Sequence, residues 1–87
     1  MSWDEVSYII ASKTRKSILT KLEIPRTPTF LAKELNFNLA NISRALTELE
    51  NKKIVVCLTP EQKVGKIYSL TKKGKDILNK TKKMEEK

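Results

Sequence analysis

The sequence predicts a mainly α domain with a small β-hairpin, and three observations predict it. Apolar residues recur at helical spacing through the first half of the chain and again near its end. The run Ile54-Val55-Val56-Cys57-Leu58-Thr59 is rich in β-branched residues and too short for a helix, and Lys66 to Thr71 forms a second such run after a loop punctuated by Pro60 and Gly65. Between the early and late helices lies TFLAKELNFNLANISRALTELENKK, Thr29 to Lys53, which reads as a short helix, a tight polar turn and a longer helix. With 87 residues and no linker, the chain is expected to be one domain over 1–87.

The first helix is expected over Trp3 to Ala11, where Trp3, Val6, Ile9 and Ile10 share a face and Asp4 and Glu5 suit the positive end of the helix dipole. Ser12 or Thr14 can cap a second segment, or the first helix runs on with a bend; periodicity leaves both open. Ile18, Leu19 and Leu22 make the next apolar stripe, with Lys13, Arg15, Lys16 and Lys21 around it. Pro25 and Pro28 end that helix and hold Ile24 to Thr29 extended, a segment able to add an edge strand to the later hairpin.

In the central stretch, about 29–53, Phe30, Leu31 and Leu35 carry the first helix. Asn36 tolerates a left-handed backbone and Asn38 can cap the second helix, whose inward stripe is Leu39, Ile42, Ala45, Leu46 and Leu49. Helices joined this closely cross steeply, the helix-turn-helix arrangement. The hairpin, about 54–71, follows with a basic tip. Thr71 can cap a last helix, about 72–84, with Ile77, Leu78, Thr81 (through its methyl) and Met84 as its apolar side. Helices, helix-turn-helix, hairpin and helix in that order make a winged helix-turn-helix, the hairpin being the wing.

Three stretches in this order resemble the small winged helix-turn-helix transcription regulators of the MarR/ArsR type: SKTRKSILTKL, LAKELNFNLANISRALTELENKKIV and IYSLTKKGKDIL, the last with a Tyr-x-Leu-Thr-x-x-Gly pattern. The resemblance covers roughly 12–80 and implies a DNA-binding regulator. Where that family often has glycine, in the turn and before the first wing strand, this chain has Asn36 and Lys53. Lys53 carries a strain of about 1 kcal/mol if the left-handed conformation is kept. ArsR-type metal sensing needs cysteines or His/Asp/Glu sets, whereas this chain has no histidine and one cysteine. No metal or cofactor is therefore expected.

Eighteen basic against ten acidic residues, a formal net charge of +8, favour a polyanionic partner. On a helical wheel Ala40, Arg44 and Thr47 fall opposite Ile42, flanked by Asn41 and Ser43, and no acid precedes Glu48. That face suits a DNA major groove: Arg44 can pair with a guanine edge and Asn41 with an adenine edge, while Asn38 at the cap suits a phosphate or the groove edge. Lys63 and Lys66, with Gly65 turning the loop, are expected at an adjacent minor groove or its phosphates. Lys13, Arg15, Lys16, Arg26, Lys72, Lys73 and Lys75 are candidates for further phosphate contacts. Trp3, Tyr8, Ile10, Ile77 and Met84 are candidates for a homodimer interface, which would set two reading helices about 34 Å apart on a near-palindromic site.

The function expected is thus sequence-specific binding of double-stranded DNA in transcription regulation. An architectural DNA binder of low specificity and a protein-interaction module are the alternatives. No enzyme is expected: the chain lacks histidine, a Gly-rich phosphate loop and metal-ligand spacing. No membrane span is expected, since one needs about 20 successive apolar residues. Met1 to Glu5 shows no leader pattern and Cys57 is the single cysteine, so a cytoplasmic location is expected, with Cys57 a small core residue of its strand.

Overall fold

A computed structural model describes residues 3–85. Its elements are α1 (Trp3–Ile10), α2 (Lys13–Lys21), α3 (Pro28–Leu35), α4 (Leu39–Asn51), β1 (Val55–Cys57), β2 (Tyr68–Leu70) and α5 (Lys72–Glu85). This is the mainly α, winged helix-turn-helix architecture expected. None of the described helices is long and apolar enough to cross a membrane.

Local chemistry sets most boundaries. The chain breaks after α1, and Ser12 caps α2 by accepting a hydrogen bond from the Arg15 amide at 3.3 Å. Thr27 caps α3 by accepting from the Phe30 amide at 3.1 Å, with Pro28 in the first turn, where its missing N–H costs nothing. The extended segment is therefore shorter than expected, because Pro28 and Thr29 are already helical. The edge pairing is present at one residue: the Arg26 amide donates to the Tyr68 carbonyl at 3.0 Å and the Tyr68 amide to the Arg26 carbonyl at 2.8 Å.

Two left-handed residues end α3 and α4. Asn36 has φ 57°, and the Phe37 amide reaches back to the Ala32 carbonyl at 3.0 Å. Lys53 has φ 66°; its amide donates to Glu50 and that of Ile54 to Leu49, at 3.0 and 2.9 Å. The latter pair closes the end of α4 in a Schellman arrangement, and burial of both Ile54 and Leu49 adds its apolar contact. Lys53 thus keeps the conformation where the resembling family often has glycine.

The core gathers Ile9 from α1, Ile18, Leu19 and Leu22 from α2 and its end, Leu31 from α3, Ile42, Leu46 and Leu49 from α4, Ile54 and Val55 around β1, and Ile77 and Leu78 from α5. β1 pairs antiparallel with β2, Val55 opposite Leu70 and Cys57 opposite Tyr68, so both strands are shorter than their apolar runs. Cys57 is half-buried on that strand. Thr71 joins the wing to α5. Its hydroxyl lies 2.6 Å from the Lys53 carbonyl, to which it donates, and accepts from the Gly74 amide at 3.0 Å. Thr81 is buried, and its hydroxyl donates to the Ile77 carbonyl at 2.9 Å.

Two stripe residues depart from expectation. Leu39 is 47% exposed and Met84 47% exposed, although both lie on apolar faces. Each sits at a helix end that overruns the core, so the periodicity continues where there is no longer anything to pack against.

Candidate nucleic-acid interface

The Asn38 side chain accepts a hydrogen bond from the Ala40 amide at 2.7 Å and so fixes the start of α4. That contact leaves its amide nitrogen for a ligand. Asn38, Ala40, Asn41, Ser43, Arg44 and Thr47 are all exposed. Thr47 donates its hydroxyl proton to the Ser43 carbonyl at 3.0 Å, so it offers its methyl and lone pairs outward. Arg44 makes no hydrogen bond or ion pair with any other described residue. The first turn of α4 has no acid.

Two clefts flank this face. One, of about 180 Å³, lies toward the start of α2 and is lined by Ser12, Thr14 and Arg15 together with Asn41, Arg44 and Glu48. The other, of about 260 Å³, lies toward the wing and is lined by Thr29, Leu39 and Ser43 facing Lys63, Val64 and Lys66, among others. The six positions expected on α4 therefore share one exposed face, and Lys63, Gly65 and Lys66 border it across a cleft. Gly65 has φ 70° with nothing near a would-be side chain, so it serves the backbone reversal and not a close approach. Sequence reasoning missed Thr29, Leu39 and Val64 on the wing side. Val64, an apolar residue between lysines at a hairpin tip, carried a readable signal; Leu39 was masked by its place on the apolar stripe.

Glu48, the first acid on α4, is held from the opposite side. Tyr8 donates its hydroxyl to the Glu48 carboxylate at 3.1 Å, and the Arg15 guanidinium lies 3.8 Å from the same oxygen. Arg15 also stacks on the Tyr8 ring at 3.8 Å and donates to the Tyr8 carbonyl at 2.9 Å; Lys52 approaches the ring at 4.7 Å. Burial, then the hydrogen bond to Glu48, raise the Tyr8 pKa. Tyr68 is raised by burial, then by the charges of Cys57 and Glu50.

Of the basic residues expected at phosphates, Arg15, Arg26 and Lys73 are among those engaged inside the chain. Arg15 serves Tyr8 and Glu48, as above. Arg26 stacks on Phe30 at 4.2 Å with its Nε buried. Lys73 pairs with Glu5 and donates to the Lys52 carbonyl at 2.9 Å, tying α5 to α1 and to the end of α4. Lys82 pairs with Glu23. Lys13, Lys72 and Lys75 remain exposed.

The proposed subunit face divides likewise. Ile77 is fully buried in the chain's own core and has no surface to offer a partner, which corrects that assignment. Tyr8 is half-buried and held as described, whereas Ile10 and Met84 are exposed. The side chain of Trp3 lies outside the described residues.

The winged helix-turn-helix family model matches residues 9–87. No curated protein sequence matches the chain. Among solved structures, a MarR family transcription regulator is similar at 26% identity and TM-score 0.77, over 85% of this chain and 51% of its own. The reduced form of MarR from E. coli is similar at 25% identity and TM-score 0.77, over 93% and 62%. A variant of E. coli MarR complexed with operator DNA shares the fold at 24% identity and TM-score 0.74, over 90% and 61%. The chain thus spans about half to three fifths of the length of these structures. A family match over nearly the whole chain, on a fold built from a helix-turn-helix and a wing, makes this protein a member of the winged helix-turn-helix family.

Proposed function

We propose that the chain is a sequence-specific regulator of transcription that binds double-stranded DNA as a homodimer, with α4 in the major groove and the wing on the adjacent backbone or minor groove. The observation that carries this is the exposed α4 face, where an unpaired Arg44 stands beside Asn41 on the α2 side and Ser43 faces the lysines of the wing across a cleft. That the similar MarR variant is complexed with operator DNA supports the reading. Pinning of Glu48 by Tyr8 and Arg15 favours it too, because it offsets the one carboxylate that would repel phosphate at the edge of that face. Ile10 and Met84, exposed at the ends of α1 and α5, are the surface offered to the second subunit.

Selection from random duplexes tests the proposal. Enrichment of a near-palindromic site is expected, with affinity falling steeply with salt at a slope of about −0.9 per phosphate neutralised. Arg44→Ala should relax base preference at one position by about 1–3 kcal/mol. Lys63→Ala should weaken all duplexes alike and reduce the slope by about one. Binding without any enriched sequence would favour an architectural protein, which the small side chains of Ala40 and Ser43 allow. Absence of duplex binding at low salt would leave the protein-interaction module, against which the charge of +8 argues.

A further inference from the structure

We propose that Val64 is a specificity-determining residue that packs on the floor of the DNA minor groove and selects A·T pairs there, a proposal that rests on the DNA-binding reading above. Val64 is 86% exposed, more than any other large hydrophobic side chain among the described residues. It stands at the hairpin tip between Lys63 and Gly65, whose φ of 70° turns the chain back toward Lys66. Neither lysine makes an ion pair among the described residues. An apolar tip between two free cations is poorly suited to an apolar protein surface, which would have to desolvate both charges. It is well suited to a groove with an uncharged floor and walls of phosphate.

Placement agrees with that groove. Val64 and Lys66 line the same cleft as Leu39 and Ser43 of α4, so the tip lies beside the start of the helix assigned to the major groove. An element in that position meets the neighbouring minor groove across one sugar–phosphate strand. Lys63 and Lys66 then fall at the phosphates and Val64 between them.

The chemistry gives a preference. A minor groove is about 6 Å wide, and a G·C pair places the amine of guanine in its floor, whereas an A·T pair does not. A valine cannot accept a hydrogen bond from that amine and would both crowd it and strip it of water. A·T tracts also narrow the groove and deepen its negative potential, which draws the flanking lysines closer. Because χ1 of a β-branched side chain is already restricted, little freedom is lost on insertion.

The test uses the full chain and an A·T-rich duplex of mixed sequence, alongside the same duplex with every adenine replaced by diaminopurine. The replacement adds the guanine-like amine to the minor groove and leaves the major-groove edge unchanged. Wild-type protein should bind the modified duplex about tenfold more weakly, in the range of a single mismatched pair. Val64→Gly, with both lysines kept, should lose most of that discrimination, retaining only the small share due to groove width and potential at the lysines, and keep the salt slope. Equal binding of the two duplexes by wild type overturns the proposal, and so does full discrimination by Val64→Gly. In either case binding persists and the DNA reading stands. Wild type binding neither duplex at low salt overturns both.

Discussion

Replacing Gly74 with alanine sets two effects of opposite sign against each other. By helix propensity alone, alanine inside α5 should stabilise by about 1 kcal/mol. The packing of the start of α5 predicts the reverse. A Cβ at Gly74 would lie 2.1 Å from the Ile54 carbonyl oxygen and 3.3 Å from a methyl of Leu70. A relaxed carbon–oxygen contact is roughly 3.3 Å or longer, so the backbones must part by about 1 Å. Neither side gives easily: Ile54 is fully buried, and its carbonyl accepts the Thr71 amide at 3.1 Å. Overpacking of this kind costs about 1–3 kcal/mol, and each strained hydrogen bond about 0.5–1.5 kcal/mol more. Net of the propensity gain, Gly74→Ala should destabilise by about 0.5–3.5 kcal/mol, and toward the upper end because both backbones are fixed, a large part of what a domain this small possesses. Thermal unfolding followed by far-UV circular dichroism should show a Tm lowered by about 10–20 °C. Asn79→Ala, on the exposed side of the same helix, should leave Tm nearly unchanged. A Tm equal to or above wild type in Gly74→Ala would refute the close approach.

Lys53→Gly should act in the opposite direction, since glycine relieves the left-handed strain at φ 66° and repays part of it in unfolded-chain entropy. A gain of about 0.5 kcal/mol, or roughly 2–4 °C in Tm, is expected, and a loss would mean that the lysine is not strained there. Tyr8 and Tyr68 both hold their protons more tightly in the folded chain, so the folded state binds more protons than the unfolded one as pH rises. The stability they contribute is complete below the ordinary tyrosine value near 10 and declines through the raised folded values. Melts across that alkaline window should fall less steeply in the variant carrying Tyr8→Phe and Tyr68→Phe, and identical declines would remove the tyrosines as the cause. For the subunit face, Ile10→Asp combined with Met84→Asp should convert a dimer to a monomer in sedimentation; a monomeric wild type would dispose of the dimer.

The sequence by itself determined the element order, the left-handed turn at Asn36, the caps at Asn38 and Thr71, and the outward face of α4. These rest on local rules: side-chain spacing against helical pitch, and short polar side chains that satisfy nearby backbone amides. It also carried a pattern ending in Gly74 without disclosing its reason, the carbonyl of Ile54 twenty residues earlier. Only the tertiary structure decided which cations are spent inside the fold. Arg15 and Lys73 read as surface charge, yet Glu48 and Glu5 come to them from distant parts of the chain. It likewise decided where an apolar stripe stops being core, exposing Leu39 and Met84 while closing off Ile77. Periodicity fixes the direction a side chain takes from its helix; what it meets there depends on elements far away in sequence.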